Sequence, residues 1–259
     1  MSPSSHASLR RLAAAIMLLL LPSLASANGV APLIELRLDV VHWQPQPAGD
    51  VASDGDDFDI EEDFGFDRSR TNILEFGLEH PVPVLPNLRL RHWSLDDSET
   101  ATLERERGFG PITFTESEDV RAAYDLATTD ATLYWSPLDN WLELDLGATV
   151  RYLDAEVEVE SRERDEREQV GGSLVLPLAH VGARANLPLT GLYVRGEINT
   201  LRAGGNALQD VRAGVGWEAT RVFGVEAGYQ RFSVELDDID DLDADIDLGG
   251  PYVAARLRF

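Results

Sequence analysis

Apolar and polar residues alternate along this chain with a period of two, and the pattern recurs over most of its length. Leu142, Leu144, Leu146, Ala148, Val150 and Tyr152 share one parity, and Glu143, Asp145, Gly147, Thr149 and Arg151 share the other. Ile34, Leu36, Leu38 and Val40 oppose Glu35, Arg37 and Asp39 in the same way. Val211, Ala213, Val215 and Trp217 oppose Asp210, Arg212 and Glu218, and Val253, Ala255, Leu257 and Phe259 oppose Tyr252, Arg256 and Arg258. Side chains of a strand point alternately to its two faces, so this is the signature of half-buried β-structure. Ten such segments can be marked, at roughly 31–44, 71–80, 88–106, 112–135, 141–160, 169–187, 191–202, 206–219, 223–236 and 244–259, separated by Pro, Gly, Asn and Asp. No convincing run of helical periodicity and no interdomain linker interrupts them.

The first 27 residues read differently. Arg10 and Arg11 precede an apolar run from Leu12 to Leu21, and Ala25-Ser26-Ala27 is a small-residue cleavage site. This predicts a secretory signal peptide over 1–27, followed by a single mature domain over 28–259. The apolar run falls short of the ~20 residues that a spanning helix needs. Later apolar runs are broken by charge well before that length, but a β-barrel needs only every second residue to be apolar.

Two features separate a membrane barrel from a secreted β-sandwich, which also alternates but turns its apolar face inward. Short connections at 81–87, 136–140, 188–190 and 220–222 alternate with longer or charge-crowded ones such as 45–70, 162–168 and 237–243. Outer-membrane barrels pair tight periplasmic turns with larger external loops in this way. Aromatic residues also fall at two heights: Trp135, Trp217 and Phe259 beside short turns, Tyr152 and Tyr229 further up their strands. The expected fold is therefore all-β, a transmembrane antiparallel up-and-down β-barrel of ten strands, with eight as the alternative, in the cell outer membrane of a Gram-negative-type bacterium.

The chain resembles an uncharacterised family of proteobacterial outer-membrane β-barrel proteins. The resemblance lies in Glu79-His80-Pro81-Val82-Pro83, in the stretch from Thr129 to Trp135, in Leu138-Asp139-Asn140-Trp141 and in the stretch from Leu187 to Tyr193. The acidic stretch from Leu236 to Asp245 and Gly250-Pro251-Tyr252 belong to it as well. It implies location and fold and carries no activity. The terminal Phe259, with apolar residues at 257, 255 and 253, looks like the sorting signal read by the barrel assembly machinery.

Several strands change character part-way. Beyond Tyr152 the apolar residues switch parity to Leu153, Ala155, Val157 and Val159; Val225, Ala227 and Tyr229 give way to Phe232, Val234 and Leu236. Ala244, Ile246 and Leu248 likewise oppose the parity of Val253 to Phe259. A β-bulge in each strand would do this, with Gly249-Gly250 suited to one. The favoured alternative needs no irregularity: below the switch lipid lies outside, and above it water does. That predicts a barrel standing above the membrane, packed inside by Trp43, Leu153, Val157, Leu174, Leu176, Phe232 and Leu248.

At membrane level the non-lipid parity carries nine Arg, at 37, 89, 91, 151, 184, 195, 212, 256 and 258. It also carries eleven acids: Glu35, Asp39, Glu75, Glu79, Asp130, Glu143, Asp145, Glu197, Asp210, Glu218 and Glu226. These nearly cancel, although the whole chain has a net charge of −24 and no Lys. The expectation is a lumen plugged by ion pairs, with surplus acid in loops and protruding strands.

Function is less legible. The strong acidity disfavours nucleic acid as a partner, and the chain has no Cys, which excludes disulfides and thiol chemistry. A structural or interaction role leads. Its expected partners are outer-membrane lipid and lipopolysaccharide, and divalent cations at acidic loops such as Asp50, Asp54, Asp56, Asp57, Asp59, Glu61, Glu62, Asp63 and Asp67. A specific metal site is not identifiable, since the spaced EF-hand pattern is missing. A narrow small-solute channel is the second reading. A barrel enzyme is the third, but His42, His80, His92 and His180 sit in no recognisable catalytic motif, so no catalytic residue and no cofactor is assigned.

Overall fold

The computed structural model describes residues 34–53, 56–60, 66–102, 106–109, 112–164, 166–239 and 242–259, so the leader expected over 1–27 lies outside it. The described chain is built from strands β1 (Glu35–Trp43), β2 (Gln46–Ser53), β3 (Asp56–Asp59), β4 (Thr71–Glu79), β5 (Asn87–Thr102), β6 (Arg107–Phe109) and β7 (Ile112–Phe114). They continue with β8 (Asp119–Asp139), β9 (Leu142–Ser161), β10 (Arg167–Asn186), β11 (Leu192–Ala203), β12 (Asn206–Glu218), β13 (Phe223–Ile239) and β14 (Leu242–Arg258).

Ten of these make the barrel wall. β1, β4, β5 and β8 to β14 each pair antiparallel with the next, and β1 pairs back onto β14 from Arg37 opposite Arg258 to Trp43 opposite Tyr252. Closure leaves no open edge at that level, which is how a sheet satisfies its backbone polar groups in hydrocarbon. β2 continues the β1 stave upward along β14, with Gln46 opposite Gly249, and turns back into β3. β6 and β7 form a separate small hairpin.

The sidedness is the reverse of a soluble barrel at membrane level. Val40, Leu74, Leu90, Leu133, Leu146, Val150, Val194, Val215 and Val253 are all exposed, while Arg91, Asp130, Arg151, Asp210 and Arg212 are buried. Trp135, Trp217 and Phe259 face out near the short turns, with Tyr152 and Tyr229 outward higher up. The expected aromatic girdles are thus present.

Where apolar residues change parity, the strands run straight through. The β9–β10 ladder is continuous from Glu160 opposite Arg167 to Leu142 opposite Ala185, and the β13–β14 ladder from Phe223 opposite Leu257 to Leu236 opposite Ala244. Register shifts occur at Trp135/Leu138 and at Leu236/Ile239, away from the switch. The bulge explanation is therefore overturned. Inward parity is constant: Arg37 and Asp39 are followed by Val41 and Trp43, and Arg89 and Arg91 by Trp93 and Leu95.

Other expectations need correction. Residues 136–140 are not a turn, since β8 runs on to Asp139; β8 starts at Asp119 rather than 112, after a turn with Ser117 at φ 68°. Val157 and Leu174 do not fill the interior, being 40% and 58% exposed. β11 turns back at Gly204 and Gly205 and pairs with β10 only as far as Thr200 opposite Ala179. Above that level no described strand pairs with the β11 side of β10.

Candidate functional site

The lumen is the part of the molecule with concentrated chemistry, and each stave contributes to it. Arg37 and Asp39 come from β1, Glu75 and Glu79 from β4, Arg89 and Arg91 from β5, Asp130 from β8, and Asp145 and Arg151 from β9. β10 adds His180 and Arg184, β11 Arg195 and Glu197, β12 Asp210 and Arg212, β13 Glu226 and Gln230, and β14 Arg256. Their convergence follows from parity, because in a closed wall every second residue projects to the axis.

The charges meet in three ion-pair clusters, which adjoin one another through tyrosine rings. Arg91 donates through Nε to Glu75 at 3.0 Å and through one terminal nitrogen to Asp210 at 3.1 Å, and it also pairs with Glu197. Glu197 in turn accepts from Arg89 at 2.8 Å and from Arg195 at 2.5 Å. Arg151 grips Asp130 with two parallel bonds of 2.7 and 2.6 Å and reaches Asp210 at 2.7 Å. This fork is the geometry that favours Arg over Lys. Arg212 bonds Glu75 at 2.5 Å and Gln230 at 2.8 and 2.9 Å. Arg256 bonds Asp39 at 2.7 Å and the Tyr193 hydroxyl at 2.9 Å.

Nearer the short turns the network continues. Arg37 pairs with Glu79 at 2.8 Å, and Arg258 pairs with Glu35 at 2.7 Å and Glu218 at 3.2 Å. Arg184 pairs with Glu218. Every Arg and acid assigned to the lumen from the sequence lies in it or at its rim, and their approximate balance is realised as contacts. An unpaired buried charge would cost several kcal/mol.

Three tyrosines complete the network, and parity alone would not have singled them out. Tyr193 and Tyr252 both donate to Glu226, at 2.8 and 2.7 Å, and Tyr134 donates to Glu79 at 2.8 Å. Their rings lie under guanidiniums, with Arg184 3.8 Å from the Tyr193 centroid and Arg89 4.9 Å from that of Tyr134, a favourable cation–π placement. Tyr193 lies over Gly216 and Tyr252 over Gly214, where a β-carbon would collide with each ring. The sequence signal was available: aromatic residues on the charged parity, facing glycines on neighbouring strands.

Above the charges the lumen turns apolar. Trp93 packs edge-on against Trp43 at 5.4 Å and against Phe232 at 5.7 Å, contacts worth ~0.5–1.5 kcal/mol each beyond burial. Val41, Ile73, Leu95, Leu178, Leu208, Leu248, Tyr252 and Ala254 surround them, with Leu153 and Leu176 packed alongside. Arg151 lies 5.4 Å from the Phe232 ring and so marks the boundary. A second, smaller apolar cluster of Phe66, Val120, Ala122 and Val159 lies beyond.

At the outer end, Glu118 accepts from Thr115, Ser161 and Arg164. Burial opposes its ionisation, but the bonds from Ser161, Thr115 and Arg164 outweigh it and pull the carboxyl down to about 2. The histidines are dispersed. His42 lies 3.1 Å from Asn72 and His92 2.9 Å from Thr129, both on the outer wall, and His80 lies 3.1 Å from the Pro86 carbonyl. His180 is in the lumen, 2.8 Å from Asn199. Of the acidic loop, Asp54, Glu61, Glu62 and Asp63 lie outside the described residues, while Asp50 and Asp59 face each other across β2 and β3.

No protein-family model matches the sequence, and no curated protein does. Among solved structures the chain is similar to Ail, the attachment invasion locus protein of Yersinia pestis, at 12% identity over 88% of this chain and 100% of that one, with a TM-score of 0.38. It is also similar to the outer membrane protease OmpT from Escherichia coli, at 10% identity over 90% and 99% and a TM-score of 0.49. The translocator domain of autotransporter NalP from Neisseria meningitidis gives 12% over 98% and 96%, also at 0.49. Likenesses this distant carry no argument about activity. The barrel's own geometry does speak to location: with an apolar belt outside and matched charges inside, the chain is an integral β-barrel of the outer membrane.

Proposed function

We propose that this protein is a structural or interaction barrel whose lumen does not conduct. The supporting observation is the stacking of two different seals: clusters of ion pairs to which all ten staves contribute, and above them the Trp43–Trp93–Phe232 layer. A solute would have to break buried Arg–carboxylate pairs, each costly to separate, and then pass an aromatic layer that offers it little beyond the Trp43 and Trp93 indole donors. Pore selectivity normally uses rings of one charge sign, whereas here the signs alternate. Refolded protein in planar bilayers should give no reproducible single-channel steps; regular steps would overturn the plugged reading and establish the narrow channel.

One observation favours that second reading at membrane level. Among the described residues Arg89 Nε, Arg151 Nη1, Glu75 Oε2 and His180 Nε2 are buried without a hydrogen-bond partner, as are Trp43 Nε1 and Trp93 Nε1 in the layer above, and such atoms are ordinarily satisfied by water. Water held in the lower vestibule and at the two indoles reconciles this with a closed barrel. Within the same proposal, the acidic outer loops supply the interaction surface and attract divalent cations. Also within this proposal, β14, with Val253, Ala255, Leu257 and Phe259 on one face, is the segment offered to the barrel assembly machinery.

A further inference from the structure

A groove of about 500 Å³ opens on the outer wall, lined by Gln46, Ala48, Arg68, Tyr229, Arg231, Asp247 and the 249–251 stretch of β14, Gly249, Gly250 and Pro251. Its height is set by its neighbours. Directly below it Val225 and Val253 face lipid, and Tyr229 belongs to the upper aromatic girdle. Tyr side chains favour the level where hydrocarbon meets headgroups. The long loops and the protruding staves lie on this side, which makes it the outer leaflet.

The groove is also preformed. Arg231 is held by Asp247 on the adjacent strand. Arg68 is carried on the segment leading into β4, which is fastened on both sides of it. Phe66 is buried in the second apolar cluster, and Ser69 donates through its backbone to Pro45 at 2.9 Å and through its hydroxyl to Asp97 at 2.6 Å. Arg68 itself has no ion-pair partner among the described residues. Gly249 keeps the floor shallow, since a β-carbon there would meet the Tyr229 hydroxyl at 2.6 Å.

We infer that this groove holds a phosphate group on the headgroup of an outer-leaflet lipid. Asp247 is already paired with Arg231, so Arg68, without an ion-pair partner among the described residues, supplies the available positive charge and Arg231 a second guanidinium face. Arg suits a phosphate because its fork of donors matches two oxygens. The setting is distinctive in so acidic a chain. Above the membrane, the opposite wall presents Asp125, Asp154, Glu156 and Glu158 on its outer parity; Glu158 among these is paired with arginine, to Arg121 and Arg167, and the wall stays net acidic and disfavours an anion. A free phosphate would gain only the two arginines. A lipid would also place acyl chains on the apolar wall below and its headgroup against Tyr229.

The test uses the barrel refolded in detergent, with retained lipid counted by native mass spectrometry. Bisphosphorylated lipid A, dephosphorylated lipid A and inorganic phosphate serve as probes. Wild type should retain bisphosphorylated lipid A, and the double variant Arg68→Gln/Arg231→Gln should retain about tenfold less. Arg121→Gln, on the far wall, should leave retention unchanged. Asp247→Asn, which removes the competing carboxylate, should raise it and so tests the same site without depending on loss. Equal retention by the double variant, equal retention of dephosphorylated lipid A, or displacement by inorganic phosphate would each overturn the inference. Heat-modified gel mobility confirms folding of every variant, and the result does not depend on whether the lumen conducts.

Discussion

The lower and upper lumen are lined by the same parity of the same strands, yet one is built of charges and the other of rings. Arg89 and Arg91 lie in the first region, and Trp93 and Leu95, two and four residues on, lie in the second. The difference teaches that the interior is determined by what lies outside the wall. Where hydrocarbon surrounds the barrel, apolar residues are drawn outward and the polar half of the alternation is left to pair with itself. Where water surrounds it, the ordinary rule returns and apolar residues are buried. The two regions should therefore fail in different ways.

The largest effect is expected in the charged region. Glu197→Ala leaves Arg89, Arg91 and Arg195 short of a carboxylate, and loss of one member of a buried ionic network costs ~3–5 kcal/mol. Urea unfolding of the refolded barrel measures it; a loss below ~1 kcal/mol would mean that water already satisfies these groups. Trp93→Ala should cost ~3 kcal/mol, near the lower end for large aromatic deletions, and should also breach the upper seal. If bilayer recordings of this variant stay silent while its stability falls, the charged network alone closes the lumen.

A smaller effect comes from coupling. Arg151→Ala and Asp130→Ala share two hydrogen bonds, so the double variant should be less destabilised than the sum of the singles by ~1–3 kcal/mol. The corresponding cycle for Trp43 and Phe232, both touching Trp93, should give less than ~1.5 kcal/mol. Equal coupling in the two regions would erase the distinction between them.

The smallest effect lies at the outer mouth. Glu118 is held down to about 2 in the folded protein against an ordinary 4.5. A depressed carboxyl contributes stability that is present above the ordinary value and lost as pH falls toward the folded one. The urea midpoint should therefore drop between about pH 4.5 and about pH 2, and Glu118→Gln should flatten part of that drop. An unchanged profile in the variant would show that Arg164, Ser161 and Thr115 gain nothing from the ionised form.

Much of this was readable from residue order. Ten alternating runs, the two aromatic heights and the charge content of the lumen all depend on local parity, which sequence displays directly. Strand ends were less legible, because β8 beginning at Asp119 depends on a separate hairpin, β6–β7, folding ahead of it. Val157 and Leu174 were misplaced for a non-local reason. Their parity is inward, but whether an inward side chain is buried depends on how tall the neighbouring stave is, and β11 is short. Tyr252 fell on the charged parity with Arg256 and Arg258, but Tyr134 and Tyr193 were missed, because an aromatic residue suggests an interface girdle until the glycines across from it are considered. The outer groove needs Arg68 and Arg231 together, and 162 residues of intervening chain conceal that proximity.

The unbroken ladder through the parity switch has a consequence for how such a wall can change over time. Because no bulge pins the height of the greasy zone, exchanging side-chain classes at two facing positions of one stave raises or lowers that zone locally, leaving every backbone hydrogen bond in place. A lineage could thus match its barrel to a thicker or thinner envelope by ordinary point substitutions, without insertions and without refolding the sheet.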